Sequence, residues 1–329
     1  MNRRQFTSLL GGTMVAALRL PKAFAQTPPK RPWVACVVGG SKTAADPFFG
    51  GFLQGMRELG YDEDRDYSLR VRYAEGDVNR ITVLTEEVLR LKPDVLVSGT
   101  MAGVLAAKKI TNSIPIVSEA LTDPVGFGVA ASHARPDGNV SGMLLMAEDL
   151  PTKLLSLALE IIPGTTKVGL LVNPSNPIQS VLRRGLETAA RRRGIELVTS
   201  EATSGEDVHA ALQKLSGDNA KIVLALHDMM FLNERKRIAL FAMAERLPTV
   251  FGFRENVEDG GLMSYGTDMR ENWRRTATFV DKILKGAKPS DLTIEYPTKV
   301  QLVINLTAAK ALGLDIPPTL LARADDVIK

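Results

Sequence analysis

Residues 114–128 read IPIVSEALTDPVGFG. Ile114-Pro115-Ile116-Val117 has the length and β-branched character of a strand buried on both faces, as a parallel sheet requires. Ser118 and Glu119 turn the run polar. Thr122-Asp123-Pro124 then reads as a helix start, because a Thr or Asp cap takes up free N–H groups and Pro presets the first helical φ. A strand's carboxyl end would so deliver a hydroxyl, a carboxylate and helix N–H groups to one spot. In open α/β sheets that spot binds ligands. An Asp there also serves a helix purely as its cap, and both readings stand at this point.

Working outward, the same plan repeats. A strand at 33–38 exits into Gly39-Gly40-Ser41, and Asp46-Pro47 opens a helix with Phe48, Phe52, Met56 and Leu59 on one stripe. A strand at 68–74 precedes a helix carrying Ile81, Leu84, Val88 and Leu91, which Lys92-Pro93 ends. A strand at 94–97 exits at Ser98-Gly99-Thr100-Met101, and a helix to about 111 leads into the opening stretch. Repeated βα units of this kind build a parallel, doubly wound sheet. The turn cluster Arg135-Pro136-Asp137-Gly138-Asn139 is expected to carry the chain across to a second lobe. There the plan recurs: a helix at 151–162, a strand at 167–172 exiting into Asn173-Pro174-Ser175-Asn176-Pro177, a helix at 178–193 and a strand at 195–199. A helix at 206–215, a strand at 221–226 exiting at His227-Asp228, and a strand at 249–253 follow. Residues 260–266, GGLMSYG, form a short return strand, the helix at 273–284 packs back on the first lobe, and 297–312 returns to the second. The expected fold is α/β, two Rossmann-like lobes with parallel sheets. Lobe 1 holds 33–138 plus about 264–296, and lobe 2 holds 139–263 plus about 297–329. A cleft lies between the strand ends.

The first residues stand outside that plan. Arg3 and Arg4 precede a short apolar segment at 6–18, too short and too Gly-interrupted to span a bilayer, and Ala23-Phe24-Ala25 offers the small residues a signal peptidase reads. Residues 1–25 are expected to be a signal peptide of the twin-arginine kind, cleaved near Ala25. An ordinary secretory signal is the alternative. Residues 26–32 form a Pro-rich, disordered lead. The chain carries 41 Lys and Arg against 37 Asp and Glu, a net charge of +4. Arg3, Arg4, Arg19 and Lys22 belong to the signal, which holds no acid, so the remainder is balanced at 37 of each sign. Composition therefore gives no support to nucleic-acid binding. The single cysteine, Cys36, excludes an internal disulfide, and its place on the first strand suits a buried inert thiol. An exported chain of this length relies on its own core, with no further membrane-length segment.

Five polar exits sit at strand carboxyl ends: Gly40 and Ser41, Ser98 to Thr100, Thr122 and Asp123, Asn173 to Asn176, and Asp228. A small zwitterion suits such a rim, with hydroxyls and helix N-termini for a carboxylate and Asp123 or Asp228 for an ammonium. Enzyme signals are thin. The chain has no Walker loop, no G-x-S-x-G elbow and no H-E-x-x-H. His133, His209 and His227 lack metal-ligand spacing, and with one Cys no Cys/His metal site is available. No cofactor is implied. His227 stands beside the cleft as a contact or a polar liner. Arg183, Arg184, Arg191, Arg192 and Arg193 read as a solvated helix face rather than an anion patch. Phe49, Phe253 and Tyr265 are candidates to stack on a ligand ring, with core packing the other role open to Phe253.

The ending PTKVQLVINL at 297–306, followed by KALGL at 310–314 and PPTLLARAD at 317–325, resembles ABC transporter substrate-binding proteins of the tryptophan/tyrosine-binding type. Residues 122–126 (TDPVG), 135–140 (RPDGNV) and 260–266 (GGLMSYG) match the same family. The resemblance spans the chain beyond its signal. It implies a periplasmic-binding-protein type I fold with three crossovers, a small-molecule ligand in the cleft and hinge closure. It also implies a periplasmic, soluble and monomeric mature protein that hands its ligand to an ABC permease in the inner membrane. The positions matching the family's ligand loops are Thr100, Met101, Thr122, Asp123, Asn173, Ser175, Asn176 and Asp228. Gly40, Ser41 and Tyr265 complete the expected set of ligand contacts. Two features depart from the pattern. Residues 227–231 read HDMMF where tryptophan binders have an Asp-Asn type of segment, and Gly40-Ser41-Lys42 belongs to this chain. The expected ligand is an aromatic amino acid or an aromatic or other small organic acid. Two other classes are weighed: a repressor-like sensor, which shares the fold but needs a DNA-binding segment ahead of the first strand, and an exported hydrolase or isomerase, which needs a nucleophile–base pair.

Overall fold

The structure, a computed structural model, describes residues 31–145 and 150–329. The expected signal peptide at 1–25 and most of the lead at 26–32 lie outside the described residues. Among the described residues, the apolar runs found above become two sheets. The first holds β1 (Trp33–Val38), β2 (Ser68–Tyr73), β3 (Val95–Ser98), β4 (Ile116–Leu121) and β5 (Val140–Leu144). The second holds β6 (Lys167–Val172), β7 (Glu196–Glu201), β8 (Val223–Ala225), β9 (Thr249–Phe251), β10 (Met263–Thr267), β11 (Val300–Asn305) and β12 (Asp326–Ile328). The first sheet runs β2-β1-β3-β4-β5, parallel throughout. The second runs β12-β11-β10-β9-β8-β6-β7, parallel except where β10 meets β11. Central strands β3, β4, β8 and β9 are buried along their whole length. Helices pack against both sheets, as buried β-branched runs require.

The chain crosses between the sheets three times: between Leu144 and Leu150, after Thr267, and between Glu295 and Val300. These crossings differ from the expected boundaries in two places. Val140–Leu144, placed at the start of the second lobe, hydrogen-bonds parallel to β4 and closes the first sheet. The turn cluster at 135–139 thus leads into one more buried strand rather than across the cleft. Met263–Thr267 pairs with β9 and β11, so the crossing falls at its end rather than at its start.

Two helix starts also differ. Ser41, not Asp46, caps the helix Lys42–Glu58: its Oγ accepts from the Ala44 N–H at 3.2 Å, and Pro47 lies inside the helix. No helix follows Thr122-Asp123-Pro124. The chain makes a single turn in which Asp123, at φ +46°, accepts from the Gly126 N–H through Oδ1 at 2.9 Å. Gly126 and Gly128, each costing about 1 kcal/mol in a helix, and the φ of +68° at Gly128 stop propagation.

The helix Met269–Leu284 packs back on the first sheet, as expected. It lies against Lys42–Glu58 so closely that a Cβ at Gly51 or Gly55 would stand 2.2 or 2.3 Å from the carbonyl oxygen of Arg270 or Arg274. Trp273 meets Phe49 edge-on at 5.4 Å between ring centroids, and Phe49 stacks on Phe52. Phe49 is therefore a core residue. This helix ties the point where the chain leaves the second sheet to the body of the first.

Candidate functional site

The carboxyl ends of the two sheets face one another across a cavity of about 40 Å³. From the first sheet it is lined by Gly99, Thr100, Met101, Glu119, Ala120 and Leu145. From the second come Asn176, Ile178, His227, Asp228, Met229 and Phe253, and Met269 begins the returning helix between them. A larger hollow, about 550 Å³, is bordered by Pro32, Asp94, Pro115 and Asn139, which precede their strands. It lies at the opposite, amino-terminal edge of the first sheet, away from the converging loops. Chemistry and topology both favour the smaller space.

The two sides are closed on one another. The Ser41 N–H donates to Asn233 Oδ1 at 3.1 Å, linking the first loop to the helix Met229–Asn233. A Cβ at Gly76 would stand 2.7 Å from Asn233 Nδ2, and Phe48 meets Phe253 at 6.4 Å between centroids.

Asp228 organises the second side. It is 3 % exposed, and each oxygen accepts twice. Oδ1 takes the N–H groups of Met230 (2.8 Å) and Phe231 (3.2 Å), capping the short helix. Oδ2 takes Asn173 Nδ2 (3.1 Å) and Asn176 Nδ2 (2.8 Å). The two amides are held in turn, since Asn173 Oδ1 accepts from the Ser175 N–H and Asn176 Oδ1 from the Ile178 N–H. Burial pushes the Asp228 carboxyl above its ordinary range, and these four donors pull the other way. Two donors on each oxygen is a geometry that suits the carboxylate form.

His227 is 2 % exposed and its Nε2 has no partner. The ring lies over the backbone of Gly252, where a Cβ would come within 2.0 Å of it, and it meets Phe253 edge-on at 4.9 Å. Burial lowers its pKa to about 4, against the effect of a hydrogen bond with the Gly252 backbone, so the imidazole is neutral at ordinary pH.

On the first side, Glu119 is 1 % exposed and its Oε2 is buried without a hydrogen-bond partner. Burial pushes its carboxyl well above the ordinary range. Beside it the Cys36 thiol is also pushed well up, by burial and by Glu119. Thr100 caps the helix Met101–Ile110 through a 3.1 Å bond from the Gly103 N–H to Oγ1, so that helix begins at the cavity wall. Among the described residues that line the cavity there is no Lys or Arg, and no metal-binding cluster of His, Cys, Asp and Glu occurs among the described residues.

Of the residues expected from sequence, Thr100, Met101, Asn176 and Asp228 line the cavity. Asn173 stands behind it, on Asp228. Gly40 and Ser41 sit at the seam with Asn233 rather than in the cavity. Ser175 is exposed and contributes a backbone N–H to Asn173. Asp123 is exposed on its turn, outside the lining, and Thr122 is buried beside it. Tyr265 is half-buried on β10 and packs against the core. Glu119, Ala120, Leu145, Ile178 and Met269 line the cavity without having been singled out from sequence, and Met229 comes from the 227–231 segment that departs from the family pattern. Glu119 lies within β4, near its carboxyl end, and only the fold shows that this polar part of the opening stretch is buried.

Two α/β lobes closing over a cavity at their strand ends define a binding protein of the periplasmic type I class. The model of the family described as ABC transporter substrate binding protein matches residues 34–328, and the chain belongs to that family. A tyrosine-binding protein of Clostridioides difficile is 23% identical over 265 residues, 80% of this chain and 76% of the relative. Among solved structures, a conserved domain protein of Vibrio cholerae has 29% identity and a TM-score of 0.85, covering 91% of this chain and 100% of its own. An ABC domain from Streptococcus pneumoniae in complex with L-Trp has 21% identity and a TM-score of 0.83, with the same coverage.

Proposed function

We propose that this protein is the exported solute-capturing component of an ABC importer, and that its ligand is an amino acid held by its ammonium group between Glu119 and Asp228. One observation carries the ligand class. The cavity has a buried carboxyl group on each side and no cationic side chain among its described lining residues. An ammonium supplies the missing counter-charge and donors. An acid without an amine would bring another acidic group and no counter-charge to the two carboxyl groups already there, which disfavours the aromatic or organic acids also expected from sequence. The ligand's own carboxylate suits the first N–H groups of the helix Met101–Ile110. The ligands named for two similar proteins, tyrosine and L-Trp, agree with an aromatic amino acid.

Size sets a condition. A space of about 40 Å³ holds a few waters and no aromatic ring. Met101, Met229 and Met269 surround it, and unbranched thioethers re-pack at low cost. Ligand therefore enters with the lobes apart, the methionines shape themselves to its side chain, and closure completes the contacts. The closed form then presents both lobes to the permease from the periplasm. The mature protein acts as a soluble monomer that releases its ligand unchanged.

The test is a thermal-shift panel of the mature chain, pairing each amino acid with its deaminated acid. An amino acid at a hundred times its Kd adds about 2.7 kcal/mol, and its deaminated partner adds nothing. Stabilisation by the plain acids alone would overturn the ligand class, and chemical alteration of a bound compound would overturn the binding-protein role.

A further inference from the structure

Among the described residues, Glu119 is the one buried carboxyl group of the cavity that has an oxygen with no hydrogen-bond partner. Asp228, across the cavity, is fully satisfied within its own lobe by two amides and two backbone N–H groups. Among the described residues, the first lobe offers Glu119 no such shell. On β1 it faces Cys36, a neutral thiol. From the helix Met269–Leu284, Asn272 Nδ2 donates to the Glu119 backbone carbonyl at 3.0 Å and leaves the carboxyl group alone. From the second lobe the same cavity is lined by neutral His227 and by Asp228. The wall that closes over it comes from that lobe, as Asn176, Ile178, Met229 and Phe253.

We propose that Glu119 is a charge gate on closure: the second lobe can seal over it only when its charge is neutralised, by a ligand ammonium or by a proton taken from solvent. Burying an unpaired carboxylate costs more than the hydrogen bond at the Ser41–Asn233 seam returns. With Glu119 ionised and no cation present, the lobes stay apart and the carboxylate stays hydrated. A ligand carrying an ammonium pairs with it and closure follows. A ligand of the same shape without the amine binds one lobe and leaves the protein open. Specificity so resides in the closing step as well as in contact, and Glu119 is the residue that sets it. Acid has the same effect as the ligand, because the proton neutralises the same oxygen. The inference rests on interlobe capture of an amine as proposed above and adds the coupling of closure to charge.

The test needs no ligand. Small-angle scattering of the mature protein, dialysed free of solutes, gives the radius of gyration from about pH 8 down to about pH 5. The wild type is expected to contract as pH falls, while Glu119→Gln, neutral at every pH, is contracted throughout. Equal pH profiles for the two proteins, or E119Q as expanded as wild type at the alkaline end, would overturn the gate. If E119Q fails to fold, the wild type decides by its infrared spectrum. The band of a protonated carboxylic acid should grow in step with contraction, and contraction without it refutes the gate. The amino-acid reading is scored separately in the thermal-shift panel. Its failure with a positive scattering result leaves Glu119 a proton gate for another cation, and the reverse leaves an amino-acid binder without the gate.

Discussion

Replacing Asp228 by Asn tests whether the second side of the cavity is built as described. The change is isosteric, so volume and packing are kept. The oxygen of the new side-chain amide can still accept the N–H groups of Met230 and Phe231 that Asp228 Oδ1 accepts now. Its nitrogen then points at two other amide donors, Asn173 Nδ2 and Asn176 Nδ2, which now lie 3.1 and 2.8 Å from Oδ2. If those amides hold their orientation, two charge-assisted bonds are lost at roughly 1.5–3 kcal/mol each. If they turn over, they regain an acceptor–donor match but give up the Ser175 and Ile178 N–H groups, at about 1 kcal/mol each. The cheaper route sets the cost at about 2–3 kcal/mol, a fall in Tm of roughly 3–5 °C for a chain of about 300 residues. Urea and thermal unfolding of D228N measure it. In an N173A/N176A background the same substitution should cost at least 1 kcal/mol less, roughly, because the clashing donors are gone. A D228N protein within about 0.5 kcal/mol of wild type, or a cost unchanged in that background, would refute the network as the organising element.

Asn233→Ala removes the side chain that accepts the Ser41 N–H across the seam. One such bond is worth about 1 kcal/mol, so the open form should gain roughly fivefold over the closed one, seen as a larger radius of gyration and a faster ligand off-rate with little loss of melting temperature. Glu255 lies in the half-open groove beside Phe48, Arg254 and Lys299, and burial, with Glu258 adding, pushes its carboxyl up to about 7 from an ordinary 4.5. A carboxyl raised in the folded state takes up a proton on folding, so its contribution is complete below about pH 4.5 and is lost as pH rises through about 7. Glu255→Gln should flatten that decline in Tm between the two values, and a slope unchanged from wild type would assign the titration to another group.

Much of the fold was legible because it is written in local periodicity. Buried parallel strands are short β-branched runs, and helices show one apolar stripe, so the βα order of both lobes follows from residues such as those of β1, β4 and β6 without reference to anything distant. The boundary between lobes was not legible in the same way. The strand VSGML at 140–144 looks alike whichever sheet accepts it, and only its register on β4 assigns it to the first. The Asn173, Asn176 and Asp228 cluster was half legible: each residue stands at a strand exit, and their mutual hydrogen bonds span more than fifty positions of chain. Asp123 stands outside the cavity lining. Its side chain satisfies its own turn, the local use that Asp finds most readily.

The sequence by itself determined the strands, the helices, their alternation and, through its matching motifs, the two-lobed class of the fold, because each depends on neighbours within a few residues. Only the tertiary structure decided which polar exits meet. It placed Thr100, Glu119, His227 and Asp228 around one cavity, while Asp123 and Ser175 remain on the outside. The reason is dielectric as much as geometric. A carboxyl group acquires its function here from being enclosed without a partner, and enclosure of Glu119 is supplied by a lobe that begins some thirty residues further along the chain.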